Sequence, residues 1–181
     1  MRQEALARRL EALQQNSNAA QNLCEHFLRD VTIPDNAIVA GYSQYNNEMD
    51  AAPLLHALHA RGCALALPVI VGKGKSLVFR AYAPDDPLAA GLMLNIQEPL
   101  NDKPLVEPTV LVVPLLAFDT KGYRLGYGGG FYDRTINVLR QKGDVLVVGV
   151  AFANQQVSEV PIGVFDAKLD AVATDKGILR F

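Results

Sequence analysis

Residues 109–152 read TVLVVPLLAFDTKGYRLGYGGGFYDRTINVLRQKGDVLVVGVAF, a strand, a glycine-rich loop, a helix and a second strand in succession. TVLVVPLL is apolar, rich in β-branched residues and about as long as a buried strand. Phe131 to Lys142 places Ile136 and Leu139 at helical spacing beside polar Arg140 and Gln141, and Gly143 closes the segment. DVLVVGVAF is again nearly continuous in apolar residues, as a strand covered on both faces must be. Of the chain's 14 glycines, Gly122, Gly126, Gly128, Gly129 and Gly130 crowd between the first strand and the helix. In an open α/β sheet that is the crevice where ligands bind.

The flanking sequence repeats the alternation. Leu6, Leu10 and Leu13, then Leu23, Phe27 and Leu28, recur at helical spacing, so the first ~30 residues are expected to be helical and to bury those faces. AIVAGY (37–42) reads as a short buried strand; Asp50 opens a helix with Pro53 in its first turn and Gly62 just past its end. Cys63 to Ile70 is a second strand, and the Gly72 to Lys75 turn leads into LVFRAYA, which is expected to pair with it as an antiparallel hairpin. Residues 85–108 are rich in Pro, Asp and Gly and are expected to be irregular. Short strands are expected at Ala171 to Ala173 and at Ile178 and Leu179. The pattern defines an α/β fold: a single-domain three-layer sandwich over residues 1–181, with a mostly parallel sheet, an antiparallel hairpin strand and helices on both faces.

Composition narrows the function. The 181 residues carry 17 Lys+Arg against 19 Asp+Glu, a net charge of -2, which excludes the general basic surface of a nucleic-acid binder; any anion site must be local. No apolar run reaches the ~18 residues of a membrane helix, and the N-terminal MRQEALARRLEALQQ has no secretory core. A cytoplasmic monomer acting on small molecules is expected. Cys24 and Cys63 stand outside any metal or redox spacing and are read as free thiols.

Backbone amides of the glycine loop, just ahead of a helix N-terminus, form a cradle for an anion, flanked by Arg124 and Arg134. The bland alternative is that the glycines only build tight turns. The spacing is not that of a dinucleotide fold, since Phe131 stands where the third glycine would fall. Gly74-Lys75-Ser76 is not a P-loop, because Val69 occupies the position of its first glycine. Asp133, in the first helical turn, either caps the helix or meets a phosphate through a divalent cation such as Mg²⁺, which removes the like-charge conflict. Asp166 and Asp170 are candidate second carboxylates. His56 and His59 share a helix face without a third ligand, and His26 is alone. The Asn46 to Asp50 run follows a strand end, so Glu48 can reach the same crevice, as a cap or as a ligand contact.

PLLAFDTKGYRLGYGGGFYDR (114–134) closely resembles the signature of the 5-formyltetrahydrofolate cyclo-ligase family, and GYSQYNNEMDAAPLLHALHARGCALALPVI, LVFRAY and LDAVATDKGILRF extend the likeness over nearly the whole chain. The resemblance implies a sheet of the phosphosugar isomerase and CoA-transferase type and an ATP- and Mg²⁺-dependent closure of 5-formyltetrahydrofolate to 5,10-methenyltetrahydrofolate through a phosphorylated formyl group. It implies ATP contacts at Arg2, Arg124, Leu125, Gly126, Tyr127, Gly128, Gly129, Gly130, Phe131 and Tyr132, and folate contacts at Ser43, Glu48, Tyr127, Gly128, Gly129, Gly130 and Phe131. Asp133 and Asp166 match metal positions, and Glu48 and Arg124 are the candidate catalytic residues. Three positions depart from the family pattern. Arg2 matches the arginine of an N-terminal Lys-x-x-Leu-Arg stretch whose lysine position precedes Met1; Phe165 stands where bacterial members often have His, and Phe131 where Tyr is common. A non-catalytic folate- or nucleotide-binding homologue is the alternative expectation.

Overall fold

The computed structural model describes residues 1–93 and 95–181. Helices α1 (Arg2–Gln15) and α2 (Ala19–Asp30) precede β1 (Ile38–Ala40), α3 (Ala52–Ala60), β2 (Ala64–Val69) and β3 (Val78–Tyr82). Three short strands follow: β4 (Leu88–Ala90), β5 (Gln97–Pro99) and β6 (Leu105–Val106). β7 (Val110–Pro114), β8 (Ala117–Phe118) and β9 (Arg124–Leu125) lead to α4 (Phe131–Lys142), and β10 (Leu146–Ala151), β11 (Ala171–Thr174) and β12 (Gly177–Arg180) complete the chain.

One eight-stranded sheet has the order β12-β11-β10-β7-β1-β2-β3-β6. Its five central strands are mutually parallel; at the margins β12 and β3 run against them, and β6 pairs antiparallel with β3. The pleat sends alternate residues to opposite layers. Val110 and Val112 of β7 pack with Leu23, Phe27, Leu54 and Leu58 of α2 and α3. Leu111 and Val113 pack with Ile136 and Leu139 of α4. Both faces of the central strands are thus covered, which is why these strands carry no polar alternation.

The expected start and stop signals of α3 hold: Asp50 Oδ1 accepts the Ala52 N–H at 2.9 Å, and Gly62 follows the helix with φ +84°. The β2–β3 hairpin forms as expected, Leu65 opposite Tyr82. Cys24 and Cys63 are free, and among the described residues no helix is long and apolar enough to cross a membrane.

Three expectations are corrected. Residues 85–108 are not simply irregular: β4 and β5 form a small hairpin, and β6 joins the sheet edge opposite Phe79 and Arg80. Strands of two or three residues are too short to show a period. The buried stripe of α1 is Ala5, Arg9 and Ala12, whereas Leu6, Leu10 and Leu13 remain 37%, 41% and 38% exposed. Small residues face inward because α1 lies close against β8 and β9, with Ala5 packed on Leu116, Ala117 and Leu125.

The third correction concerns the glycine stretch, which does not follow β7 directly. The β8–β9 hairpin intervenes, and Gly122 belongs to its turn. Buried Asp119 organises that hairpin: Oδ1 accepts the N–H groups of Lys121 (2.9 Å) and Tyr123 (3.0 Å), and Oδ2 accepts that of Val160 (3.0 Å). Asp119→Ala leaves three amides without their acceptor and is expected to lower stability by about 3 kcal/mol. Urea unfolding checks this as a lower midpoint at unchanged slope.

Candidate active site

The loop of residues 126–130 joins β9 to α4 beyond the carboxyl ends of the parallel strands. Gly128 and Gly130 have φ of +98° and +63°, a region side chains rarely adopt, and Gly130 is the residue immediately before α4. Around Gly126 the space where a Cβ would stand is open. Arg2 lies along this loop: its Nε donates to the Gly126 carbonyl at 3.0 Å, and its Nη2 is 3.5 Å from where a Gly128 Cβ would be.

The two arginines expected to flank the cradle are engaged differently. Arg134 donates to the Gly129 carbonyl (2.6 Å) and the Lys75 carbonyl (3.3 Å), and its guanidinium lies 5.4 Å from the Phe131 ring centroid. It pins the loop to the β2–β3 turn. Arg124 is buried beneath the loop, its Nη1 donating to the Ala167 carbonyl at 2.7 Å and its Nη2 to Asp133 Oδ1 at 2.8 Å. Burial pulls the guanidinium below its usual range, opposed by the charges of Asp133, Tyr132 and Asp166.

Asp133 Oδ1 also accepts the Ala167 N–H at 3.1 Å, so the aspartate ties α4 to the segment ahead of β11. Its Oδ2 accepts no hydrogen bond among the described residues. Asp166 is exposed, with Oδ2 accepting the Gly163 N–H at 2.8 Å, and near enough for its charge to act on Arg124. Among the described residues no group of three or more His, Cys, Asp or Glu side chains gathers to hold a metal ion. Asp170 accepts bonds from Arg140 and the Val147 amide and ties α4 to the start of β10. His26 pairs with Arg29, and His56 bonds back to the Ala52 carbonyl on the helix surface.

The segment after β1 meets the loop from the other side. Tyr45 and Tyr127 contact edge to face, their centroids 5.8 Å apart. Glu48 is 3% exposed, and its carboxylate accepts the Tyr45 N–H at 2.9 Å. Burial dominates and pushes Glu48 up to about 7, with the Tyr45 amide and Arg9 opposing. Burial likewise raises Tyr42 and Tyr132, each further raised by the Glu48 charge. Tyr42 donates to the Met49 carbonyl, and Ser43 Oγ to the Gln97 carbonyl at 2.5 Å, which fastens the β4–β5 hairpin beside this segment.

Glu48, Tyr127 and Tyr132 therefore share one site, with Arg2 along the loop and Arg124 and Asp133 below it; Ser43 lies at its border. Sequence reading missed Arg9, Tyr42 and Tyr45. The signal for Arg9 was its position two helical turns after Arg2, masked by the leucine stripe on the same helix.

The glycine loop, the buried carboxylate of Glu48 and the Arg124–Asp133 pair thus gather at the strand ends of a parallel-sheet α/β protein, the crevice where such folds bind ligands. The model of the 5-formyltetrahydrofolate cyclo-ligase family matches residues 1–175, and the chain belongs to that family. It is 36% identical over 167 residues to the 5-formyltetrahydrofolate cyclo-ligase of Haemophilus influenzae, covering 88% of this chain and 87% of the relative. It is 38% identical over 141 residues to that of Escherichia coli K12, covering 75% and 76%. The 5,10-methenyltetrahydrofolate synthetase of Aquifex aeolicus superposes with a TM-score of 0.78 at 26% identity, over 99% of this chain and 90% of that one.

Proposed function

We propose that this enzyme closes 5-formyltetrahydrofolate to 5,10-methenyltetrahydrofolate, consuming ATP and releasing ADP and phosphate. The reading rests above all on one juxtaposition: the glycine-amide loop, with Arg2 along it and Arg124 beneath it, faces the buried carboxylate of Glu48 across Tyr45 and Tyr127.

The formyl oxygen of a formamide is a poor leaving group. In the proposed reaction it attacks the γ-phosphorus, the bond to the bridging oxygen breaks and ADP departs with the electron pair. N10 then attacks the activated carbon, loses its proton, and the carbon–oxygen bond breaks to free inorganic phosphate. Transfer of this kind depends on positioning and charge stabilisation, not on a covalent protein nucleophile. The amides of Gly128 to Phe131 and the Arg2 guanidinium suit the polyphosphate; Tyr127 and Tyr45 supply aromatic faces for the pterin, with Ser43 at the border. Glu48, with an affinity for protons centred near neutrality, would take the N10 proton. Arg124 holds Asp133 in place beneath the loop.

Asp133, whose Oδ2 is free among the described residues, and exposed Asp166 would hold Mg²⁺, which takes one or two carboxylates and completes its shell with phosphate oxygens and water. Bound there, Mg²⁺ would neutralise polyphosphate charge. Purified protein given 5-formyltetrahydrofolate, ATP and Mg²⁺ should gain the absorbance of the methenyl product with one ADP formed per turnover. Folded protein that forms no product overturns the reading. Asp133→Asn is expected to raise the Mg²⁺ concentration for half-maximal turnover at least about tenfold; an unchanged requirement assigns Asp133 to the Arg124 ion pair alone.

A further inference from the structure

Arg9 has a different position from the other arginines of the site. It is 0% exposed, the largest of the fully buried side chains. Its Nη2 donates to the Tyr127 hydroxyl at 2.5 Å and its guanidinium carbon lies 5.5 Å from the Tyr127 ring centroid. Nε and Nη1 are buried without any acceptor, and the residue takes part in no ion pair among the described residues. A buried guanidinium with no carboxylate in contact and with two idle donors is strongly unfavourable in an isolated fold. Such a group persists where a bound partner supplies the missing acceptors.

The surroundings say what that partner is. Arg9 and Arg2 are seven residues apart on α1, two turns and about 10 Å along one face, and both meet the glycine loop: Arg2 at Gly126 and Gly128, Arg9 at Tyr127. From the segment after β1, Glu48 and Tyr42 lie close enough for the Arg9 charge to act on them. Arg9 thus stands between the loop and Glu48, where an anion with several oxygens would pass from one reactant to the other. Tyr127 is 43% exposed on a loop with glycine on either side, and its ring and hydroxyl lie against the guanidinium.

We propose that Arg9 is a catalytic residue whose free Nε–H and Nη1–H take the non-bridging oxygens of the phosphoryl group in flight from the nucleotide to the formyl oxygen, once Tyr127 turns aside. The proposal rests on the function assigned above. The phosphorus–oxygen bond to ADP breaks and the bond to the formyl oxygen forms; Arg9 makes no covalent bond and keeps its protons.

Arg9→Met, Arg9→Gln and Arg9→Lys in the full chain test it against wild-type turnover, which must first be present; its absence would overturn the function itself, not the role of Arg9. For Arg9→Met and Arg9→Gln, kcat is expected to fall about 100-fold or more, as when a transition-state donor is lost, with the KM for each substrate within about threefold. Lys, a charge without the fork, should lie between. Arg9→Met should also melt at a higher temperature than wild type, because a buried cation without an ion-pair contact is gone. An unchanged kcat in folded variants, or a higher KM for ATP with kcat intact, overturns the proposal. If Arg9→Met fails to fold, Arg9→Lys decides: kcat lowered about tenfold or more at unchanged KM supports it, and full kcat overturns it. If kcat falls in a variant that is also less stable, methylguanidinium at millimolar concentration must restore part of it; no restoration assigns Arg9 a structural role.

Discussion

Glu48→Gln is expected to be more stable than the wild type at pH 8 and nearly inactive. The Glu48 carboxyl is displaced from 4.5 in the unfolded chain to about 7 in the fold, chiefly by burial. Below pH about 4.5 both states hold the proton and the residue is neutral in its effect. Between there and about 7 the unfolded chain gives up its proton while the folded chain keeps it, so stability falls as pH rises. Above about 7 the full loss is present, on the order of 3 kcal/mol. Gln keeps the shape and removes the charge, so the pH dependence flattens and the variant gains most of that amount at pH 8. Turnover should drop about 100- to 1000-fold, the range for loss of a positioned base. The wild-type kcat/KM profile should rise through a limb near pH 7 that the variant lacks. Denaturant unfolding at pH 5 and pH 8, beside the rate profile, checks both halves. Equal stability at both pH values in wild type and variant contradicts the account of Glu48.

Arg124→Met is expected to fail in the opposite way, losing stability and activity together. The Arg124 side chain is 4% exposed and joins β9 to α4 through Asp133 and to residue 167 through its carbonyl. Its removal leaves the carboxylate of Asp133 with only the Ala167 amide and orphans the Ala167 carbonyl. A loss of about 3 kcal/mol follows from breaking a largely buried pair, or roughly 10 °C in Tm for a domain of this size. Because the loop begins two residues later, kcat should fall at least about 100-fold. Lys should not rescue either property, since a single ammonium cannot reproduce the forked contact. The double variant Arg124→Met/Asp133→Asn should be less destabilised than the sum of the two single changes, as the second removes the charge that the first left unpaired. Additive losses would show that the two side chains do not act as a pair.

The two cases differ because the site contains two kinds of charge. Arg124 and Asp133 compensate each other and serve the fold. Glu48 and Arg9 are buried without an ion-pair contact among the described residues, the carboxylate holding the Tyr45 amide and the guanidinium the Tyr127 hydroxyl.

This distinction was invisible in the sequence, although much else was legible there. The strand, helix, strand succession of residues 109–152 could be read because Val110 to Pro114 and Leu146 to Ala151 are covered on both faces and so apolar throughout. Asp50, Pro53 and Gly62 bounded α3 through local backbone chemistry that needs no tertiary partner. Local chemistry also marked the glycine loop. What misled was α1, where the leucine period suggested the buried face. Tight packing against β8 and β9 selects alanine instead, and brings Arg9 inward. The β8–β9 hairpin escaped notice for a related reason: it is held by one aspartate accepting distant and local amides, and its strands are too short to pattern. The nearness of Glu48 to Tyr127 depends on β1 lying beside β7, a sheet order that follows only from the assembled fold.

Transfer of phosphorus to the formyl oxygen is the central step of the proposed reaction, and oxygen labelling measures that transfer directly. 5-Formyltetrahydrofolate carrying ¹⁸O in its formyl group should be turned over with unlabelled ATP, and the released phosphate analysed by mass. One ¹⁸O is expected in the inorganic phosphate and none in ADP. Methenyl product formed with phosphate free of ¹⁸O would contradict that transfer, since the formyl oxygen would then have left by another route.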